Sequence, residues 1–151
     1  MTLVDHERYM RRAIELGRTI SRLPFGAVIV DGQSGVILGE GWNRTDESPI
    51  WPGEMAAIEN VSKQHCKGDW RHLLLYTTAE PCAMCQGAIG WAGIGTVIFG
   101  SSIGFLMHKG WWQINISAAE IASRTLFSAC QIIGGVLEME CNQLFLEAAG
   151  I

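Results

Sequence analysis

The chain has 151 residues, of which 48% are hydrophobic and 17% charged, so it suits one domain with a substantial core and cannot be intrinsically disordered. Its formal net charge of −4 at pH 7 argues against a protein held mainly by nucleic-acid phosphates, since such domains usually carry a basic face. No apolar run is long enough to cross a bilayer and the first twenty residues carry many charges, so we expect one cytoplasmic domain over residues 1–151 without membrane contact.

Helices and strands alternate along most of the predicted chain. In order, hydrophobic spacing and turn residues predict a helix over 5–20, strands over 25–30 and 36–42, a helix over 52–65, a strand over 73–78, a helix over 81–91, a strand over 96–100, a short helix from 117, a strand over 131–133 and a helix over 136–149. Residues 101–115 are predicted to form a loop. Ser117 and Glu120 have the spacing of a capping box.

This order of elements predicts a layered α/β domain. The first two strands flank a glycine-containing turn at 31–35, which is typical of an antiparallel hairpin. The later strands are separated by helices, and right-handed crossovers make such strands parallel. The strand at 73–78 is short and apolar, so we expect it near the centre. The prediction is a three-layer α/β/α fold with a mixed sheet of about five strands.

The segment Glu80-Pro81-Cys82-Ala83-Met84-Cys85 carries the strongest chemical signal. Proline is favoured in a first helical turn, where its missing N–H costs nothing. Cys82 and Cys85 are then three residues apart on that turn, and their thiols face the same way at an electropositive helix start. Thiolates stabilised there bind zinc. Two buried structural cysteines, or a redox pair, are the alternatives.

A second predicted helix start carries a carboxylate. Glu54 follows Pro52 and Gly53 where the helix over 52–65 begins. Acidic residues are common in first turns because of the helix dipole, so Glu54 alone says little. Together with the cysteine segment it indicates a site, because such helix starts gather at the carboxyl edge of a parallel sheet, where ligands bind.

Several segments together resemble the zinc-dependent cytidine deaminase superfamily, in its branch of nucleobase and tRNA-adenosine deaminases. The matching segments are Pro24–Val30, Gly41-Trp42-Asn43, Glu80–Cys85 with the following Gly87-Ala88-Ile89, and Gly134–Glu138. The resemblance implies a cytidine-deaminase-like fold, a homodimer, and hydrolytic deamination of a free nucleobase or related amino-heterocycle, with a guanine-like purine favoured. A tRNA adenosine deaminase is an alternative that the acidic charge disfavours.

The resemblance also implies a role for each matched residue. Cys82 and Cys85 would bind zinc, and Glu54 would carry a proton from a zinc-bound water to the base. Asn43 would bind the substrate through a side-chain hydrogen bond, and Gly53 would bind it through its backbone N–H. Phe25 would pack against the ring of the substrate.

Pro52 departs from the family pattern, which has a His or Cys zinc ligand two residues before the Glu. Proline has no ligating side-chain atom, and catalytic zinc sites use about three protein ligands. Of the four histidines, His6, His65 and His72 are predicted to lie too far away. Three hypotheses stay open: His108 replaces the ligand; zinc is weak or absent, in a pseudoenzyme or heterocycle-binding module; or Pro52 is a recent or engineered substitution in a working deaminase.

The tryptophans allow two explanations. Aromatic side chains can stack on bases, and five of the six tryptophans are candidates for this role: Trp42, Trp51, Trp91, Trp111 and Trp112. Packing in the core or in a dimer interface is the favoured explanation for most of them.

Overall fold

A computed structural model describes residues 5–65 and 68–151. The elements are α1 (His6–Gly17), a 3-10 turn (Arg18–Ile20), β1 (Gly26–Asp31), β2 (Ile37–Trp42), α2 (Gly53–His65), β3 (Leu73–Ala79), α3 (Ala83–Ala92), β4 (Thr96–Ser101), α4 (Ile103–His108), α5 (Ala118–Arg124), β5 (Gln131–Ile133) and α6 (Glu138–Ala148). Among these described helices, none has the length and apolar character needed to span a membrane.

The five strands form one mixed sheet in the order β2-β1-β3-β4-β5. Strand β1 pairs antiparallel with both β2 and β3, whereas β3, β4 and β5 run parallel to one another. The predicted hairpin, the central position of β3 and the mixed five-stranded sheet are therefore confirmed. The parallel half places the carboxyl ends of β3 and β4 at one edge of the sheet, above which α3 begins.

Helices cover both faces of the sheet, which completes the predicted three layers. Because side chains alternate along a strand, Val28 and Val30 of β1 join one core cluster with residues of α1 and α6, while Ala27 and Ile29 join the other with residues of α2 and α3. Both clusters are closely packed around buried aliphatic side chains. This burial fixes the register of β1, since a slip of one residue would exchange the two faces.

Three local predictions need correction. The helix predicted over 136–149 begins at Glu138, because Leu137 has a positive φ of 50° and is the N-cap residue of α6. The predicted loop at 101–115 contains the helix α4, which begins after Ser102 because the Ser102 side chain accepts a hydrogen bond from the backbone N–H of Phe105. The predicted helix over 81–91 begins later, at Ala83, so Pro81 precedes it and Cys82 is its N-cap residue. In contrast, Ser117 caps α5 as predicted, accepting from the backbone N–H of Glu120.

Candidate active site

A cavity of about 220 Å³ opens where α2 and α3 begin. Five of the six predicted site residues line it: Phe25, Asn43, Glu54, Cys82 and Cys85. The remaining lining residues are Pro52, Glu80, Trp112, Gln113 and Ile114. The fold therefore brings the two helix starts together, as their expected position at the carboxyl edge of the sheet implied.

Glu54 lies in the first turn of α2 and is only 3% exposed. Its Oε1 is 3.0 Å from the Thr77 hydroxyl, and its Oε2 is 3.7 Å from the Cys85 sulfur. Burial disfavours the charged carboxylate and raises the pKa of Glu54 from 4.5 to about 7. A carboxyl group with this pKa can both take and give a proton near neutral pH.

Thr77 is a site residue that the sequence did not reveal. Its hydroxyl oxygen is 3.0 Å from Glu54 Oε1 and 2.9 Å from the carbonyl oxygen of Ala79. A hydroxyl has one hydrogen, so it donates to Glu54 when the carboxylate is ionised and is free to donate to Ala79 when Glu54 carries the proton. Thr77 and the adjacent Thr78 are both fully buried near the end of β3, and two threonines after an apolar run are the signal that could have marked this part of the strand.

The two cysteines of the α3 start occupy different environments. Cys82, the N-cap residue, is half-buried, whereas Cys85 in the first turn is buried. A hydrogen bond from the Cys85 side chain lowers the pKa of Cys82 to about 6, with help from the backbone N–H groups of Cys85 and Met84. The same hydrogen bond, together with burial, raises the pKa of Cys85. One negative charge is thus held at Cys82, at an electropositive helix start.

Pro52 lines the cavity at the position where the family resemblance expects the third zinc ligand. Its carbonyl oxygen accepts a hydrogen bond of 3.0 Å from the backbone N–H of Ala56, so Pro52 takes part in starting α2. A pyrrolidine ring offers no lone pair to a metal. The side chain therefore supports the helix start without adding a ligand.

The histidines do not fill this gap. His6 hydrogen-bonds to Tyr76, His72 lies near Asp31, and the side chain of His65 falls outside the described structure. His108 is exposed at the end of α4 and is not among the residues lining the cavity. Across residues 5–65 and 68–151, no group of three or more His, Cys, Asp or Glu side chains is arranged to hold a metal ion. The two thiols do not by themselves fit a three-ligand catalytic zinc site.

Asn43 is buried at the cavity wall with its amide orientation fixed. The side-chain Oδ1 accepts from the backbone N–H of Thr45 at 3.1 Å and from the Thr45 hydroxyl at 2.7 Å. Both lone pairs of the amide oxygen are used in this way, so Asn43 can serve a ligand only as a donor through its nitrogen.

Gly53 and Phe25 meet beside the cavity. A Cβ at Gly53 would lie 2.4 Å from the Phe25 carbonyl oxygen, so only glycine lets the first turn of α2 approach β1 this closely. Gly53 does not itself line the cavity, and its backbone contact with a substrate stays a prediction. The Phe25 ring lines the cavity and packs edge-on against Trp111 and Phe145.

Only one of the five candidate tryptophans lines the cavity, namely Trp112. Trp111 packs into the core against Phe145, as the packing explanation predicts. Trp91 is 80% exposed on α3, where its ring stacks on Phe127 with centroids 4.6 Å apart.

Comparison with known proteins identifies the family. Residues 3–101 match the model of the cytidine and deoxycytidylate deaminase zinc-binding region, and the chain belongs to this family. It is 32% identical to a tRNA-specific adenosine deaminase of Haemophilus influenzae, over 91% of this chain and 79% of that protein. It is also 38% identical to a guanine deaminase of Bacillus subtilis, over 59% of this chain and 60% of that protein.

The chain spans only part of several other curated relatives, covering 59–65% of their length. Among solved structures, a guanine deaminase from Nitrosomonas europaea superimposes with a TM-score of 0.85, covering 100% of this chain and 88% of that chain at 20% identity. This likeness confirms the cytidine-deaminase-like fold.

Proposed function

We propose that this protein is a hydrolytic deaminase of a free nucleobase or related amino-heterocycle, with a guanine-like purine favoured. The observation that carries the proposal is that Glu54 places a buried carboxyl group at a small cavity. The pKa of this group, about 7, suits a proton carrier. The similarity to the guanine deaminase of Bacillus subtilis supports a purine substrate. The cavity of about 220 Å³ is smaller than typical drug-sized pockets of roughly 300–1,000 Å³ and suits a single flat ring system.

In this reaction, water adds to the ring carbon that carries the amino group, and ammonia leaves as the carbonyl forms. Glu54 takes one proton from the attacking water and gives it to the ring nitrogen; it then takes the remaining hydroxyl proton and gives it to the amine, which leaves as ammonia when the C–N bond breaks. Asn43 donates its amide N–H to an acceptor on the edge of the base, and Phe25 packs beside the ring. Two observations support these roles. Both lone pairs of the Asn43 amide oxygen already accept hydrogen bonds from Thr45, and the side chains of Glu54, Asn43 and Phe25 all belong to residues that line the cavity.

The metal requirement separates this chain from the family pattern. Zinc in this family activates the attacking water, and Cys82 and Cys85 are the residues of this chain that would hold it. Because Pro52 adds no third ligand, we propose that zinc binds weakly. Pro52 also favours the second candidate function, a protein that binds a heterocycle without turning it over.

A tRNA substrate is favoured by one observation, the 32% identity to a tRNA-specific adenosine deaminase. The net charge of −4 opposes it, because binding to a polyanion depends on phosphate contacts and counterion release. We therefore favour a free base over tRNA as the substrate.

We also propose that the protein is a cytoplasmic homodimer. An apolar patch at the end of α3 and after α5 supports self-association, since its large side chains are well exposed: Trp91, Leu126 and Phe127. Sedimentation equilibrium should give twice the chain mass, and a monomer at all concentrations would contradict the dimer.

The proposed substrate class can be tested with a panel of free bases, nucleosides, single-stranded DNA and tRNA at physiological salt. We expect a small amino-purine or amino-pyrimidine to raise the melting temperature by mass action and to release ammonia with zinc in excess. Binding of a base without ammonia release would favour the binding module. Tight, salt-sensitive binding of tRNA with no response to any base would support the tRNA enzyme instead.

Asn43→Asp sharpens this test. The substitution keeps an oxygen that can accept from Thr45 and removes the amide N–H that we assign to the ligand. The thermal shift by the base should be lost, because an unpaired acceptor on a buried ligand costs about 1–3 kcal/mol. An unchanged shift would remove Asn43 from the substrate site.

A further inference from the structure

The segment between α4 and α5, residues 109–117, forms one rim of the cavity, and we call it the strap. Trp112, Gln113 and Ile114 of the strap line the cavity. The Trp112 side chain is 96% exposed. Single exposed aromatic residues are common on protein surfaces, so exposure alone indicates nothing. An indole at the mouth of a cavity that suits a flat ring is a different case.

The residue before Trp112 fixes the strap to the body of the domain. The backbone N–H of Trp111 donates to the carbonyl oxygen of Leu106 at 2.9 Å. Its indole packs edge-on against Phe25 and Phe145, with centroids 5.9 and 5.4 Å away. The strap is thus anchored one residue from Trp112, whose side chain stays outside the core.

The Trp112 side chain has open space on more than one side. A second cavity of about 430 Å³ adjoins the first, and Phe25 and Trp112 line both. These two residues therefore lie where the cavities meet. An indole in this position can turn onto a ring bound in the first cavity without displacing a packed neighbour.

Glu80 holds the two helices that flank the strap, α4 before it and α5 after it. Its Oε1 accepts from the backbone N–H of Ile103, the first residue of α4, at 2.9 Å. Its Oε2 accepts from the backbone N–H of Ala118, the first residue of α5, at 2.8 Å. The carboxylate is buried, and these two bonds satisfy one acceptor site on each oxygen.

We propose that Trp112 stacks on the flat ring of the substrate and sets a preference for a bicyclic purine over a pyrimidine, and that Glu80 is the positioning residue that holds the strap. This inference rests on the proposed function. A purine offers the indole a larger face than a pyrimidine does, so the benefit of stacking is larger for the purine. Glu80 acts on substrate affinity through Trp112 by fixing the starts of α4 and α5, the helices that precede and follow the strap.

The test compares the affinities of guanine and cytosine, measured by isothermal calorimetry and by quenching of tryptophan fluorescence. Trp112→Ala should weaken guanine binding about 5- to 150-fold and cytosine binding less, which narrows the ratio between them. Trp112→Phe keeps an aromatic face and should retain most of the affinity. Trp91→Phe removes another exposed indole, which lies in the patch that we assign to self-association and does not line the cavity; it should leave the ratio of the guanine and cytosine affinities unchanged.

A double-mutant cycle tests the role of Glu80. Glu80→Gln replaces one acceptor oxygen with an NH₂ group that faces a backbone N–H, so the start of one of the two helices that flank the strap is released. It should raise KM and Kd for guanine with little change in kcat. In the Trp112→Ala background it should have no further effect on affinity, because both changes remove the same interaction. Additive effects would overturn the assignment of Glu80 as a residue acting through Trp112.

Two further results overturn the inference and differ in what they leave standing. If wild type binds guanine and Trp112→Ala binds it equally well, the stacking role is wrong while the proposed function stands. If the wild-type protein binds neither base and releases no ammonia from them, the inference and the proposed function fail together.

Discussion

The starts of α2 and α3 face the same cavity but differ in how many of the residues expected from the family they retain. The α3 start presents both thiols of the family's cysteine pair, at Cys82 and Cys85. The α2 start keeps its carboxyl group at Glu54 but has Pro52 where the resemblance expects a metal ligand. In the proposed function, proton transfer and metal binding are assigned to separate groups, so a change at one start can weaken one role and leave the other intact.

Electrostatics at the two helix starts also differ in which effect dominates. Both starts carry partial positive charge, which favours an anion. At Cys82 the hydrogen bond from Cys85 outweighs burial, and the pKa falls to about 6. At Glu54 burial outweighs the hydrogen bonds, and the pKa rises to about 7. The pKa of Cys82 thus favours a thiolate at the start of α3, whereas the pKa of Glu54 favours a carboxyl group that exchanges its proton near neutral pH at the start of α2.

The largest effect is expected from Glu54→Gln, which removes the proton carrier and keeps the shape of the side chain. Ammonia release from the best base of the panel should fall about 10²- to 10⁴-fold. Circular dichroism and the reactivity of the cysteines serve as controls that the fold and the α3 start are unchanged. Near-normal turnover by this variant would show that Glu54 is not the proton carrier.

The same substitution should change how stability depends on pH. Because the pKa of Glu54 is raised in the folded state, the folded protein keeps a proton that the unfolded chain releases, and wild-type stability falls as pH rises from about 4.5 to 7. Relative to Glu54→Gln, wild type should lose about 3 kcal/mol across this window. Urea unfolding of both proteins at pH 4.5 and pH 8 measures the difference. Equal pH dependence would mean that Glu54 titrates normally.

A smaller effect is expected at Thr77, whose hydrogen bond lowers the pKa of Glu54. Thr77→Val removes the hydroxyl, so the pKa of Glu54 should rise further. The rise of activity with pH should then move upward by somewhat less than one pH unit, since one hydrogen bond contributes about 1 kcal/mol. Thr77→Ser keeps the hydroxyl and should retain the wild-type profile. If Thr77→Val has the same pH–activity profile as wild type, the hydrogen bond from Thr77 does not set the pKa of Glu54.

The sequence predicted most of the fold because apolar alternation and turn residues are local signals. The hairpin of β1 and β2 and the central β3 are visible in this way. Helix α4 was missed because it is only six residues long and lies in a segment rich in glycine and tryptophan. Its start signal, Ser102 before an apolar stretch, is too short to distinguish from a loop.

Site residues that belong to a sequence motif could be predicted, whereas site residues whose roles depend on contacts between distant parts of the chain could not. Glu54, Cys82 and Cys85 sit at helix starts that the sequence marks. Thr77 and Glu80 gain their roles from partners far along the chain, Glu54 in one case and the starts of α4 and α5 in the other. Such contacts depend on tertiary packing, which spacing along the sequence does not encode.

The contrast between the two helix starts is tested most directly by zinc content. Wild type and Pro52→His are purified in parallel, dialysed against a chelator, and analysed for zinc per chain. We predict well below one zinc per chain for wild type and close to one for Pro52→His, because the imidazole adds the ligand that proline lacks. One tightly held zinc per wild-type chain that survives the chelator would contradict the account.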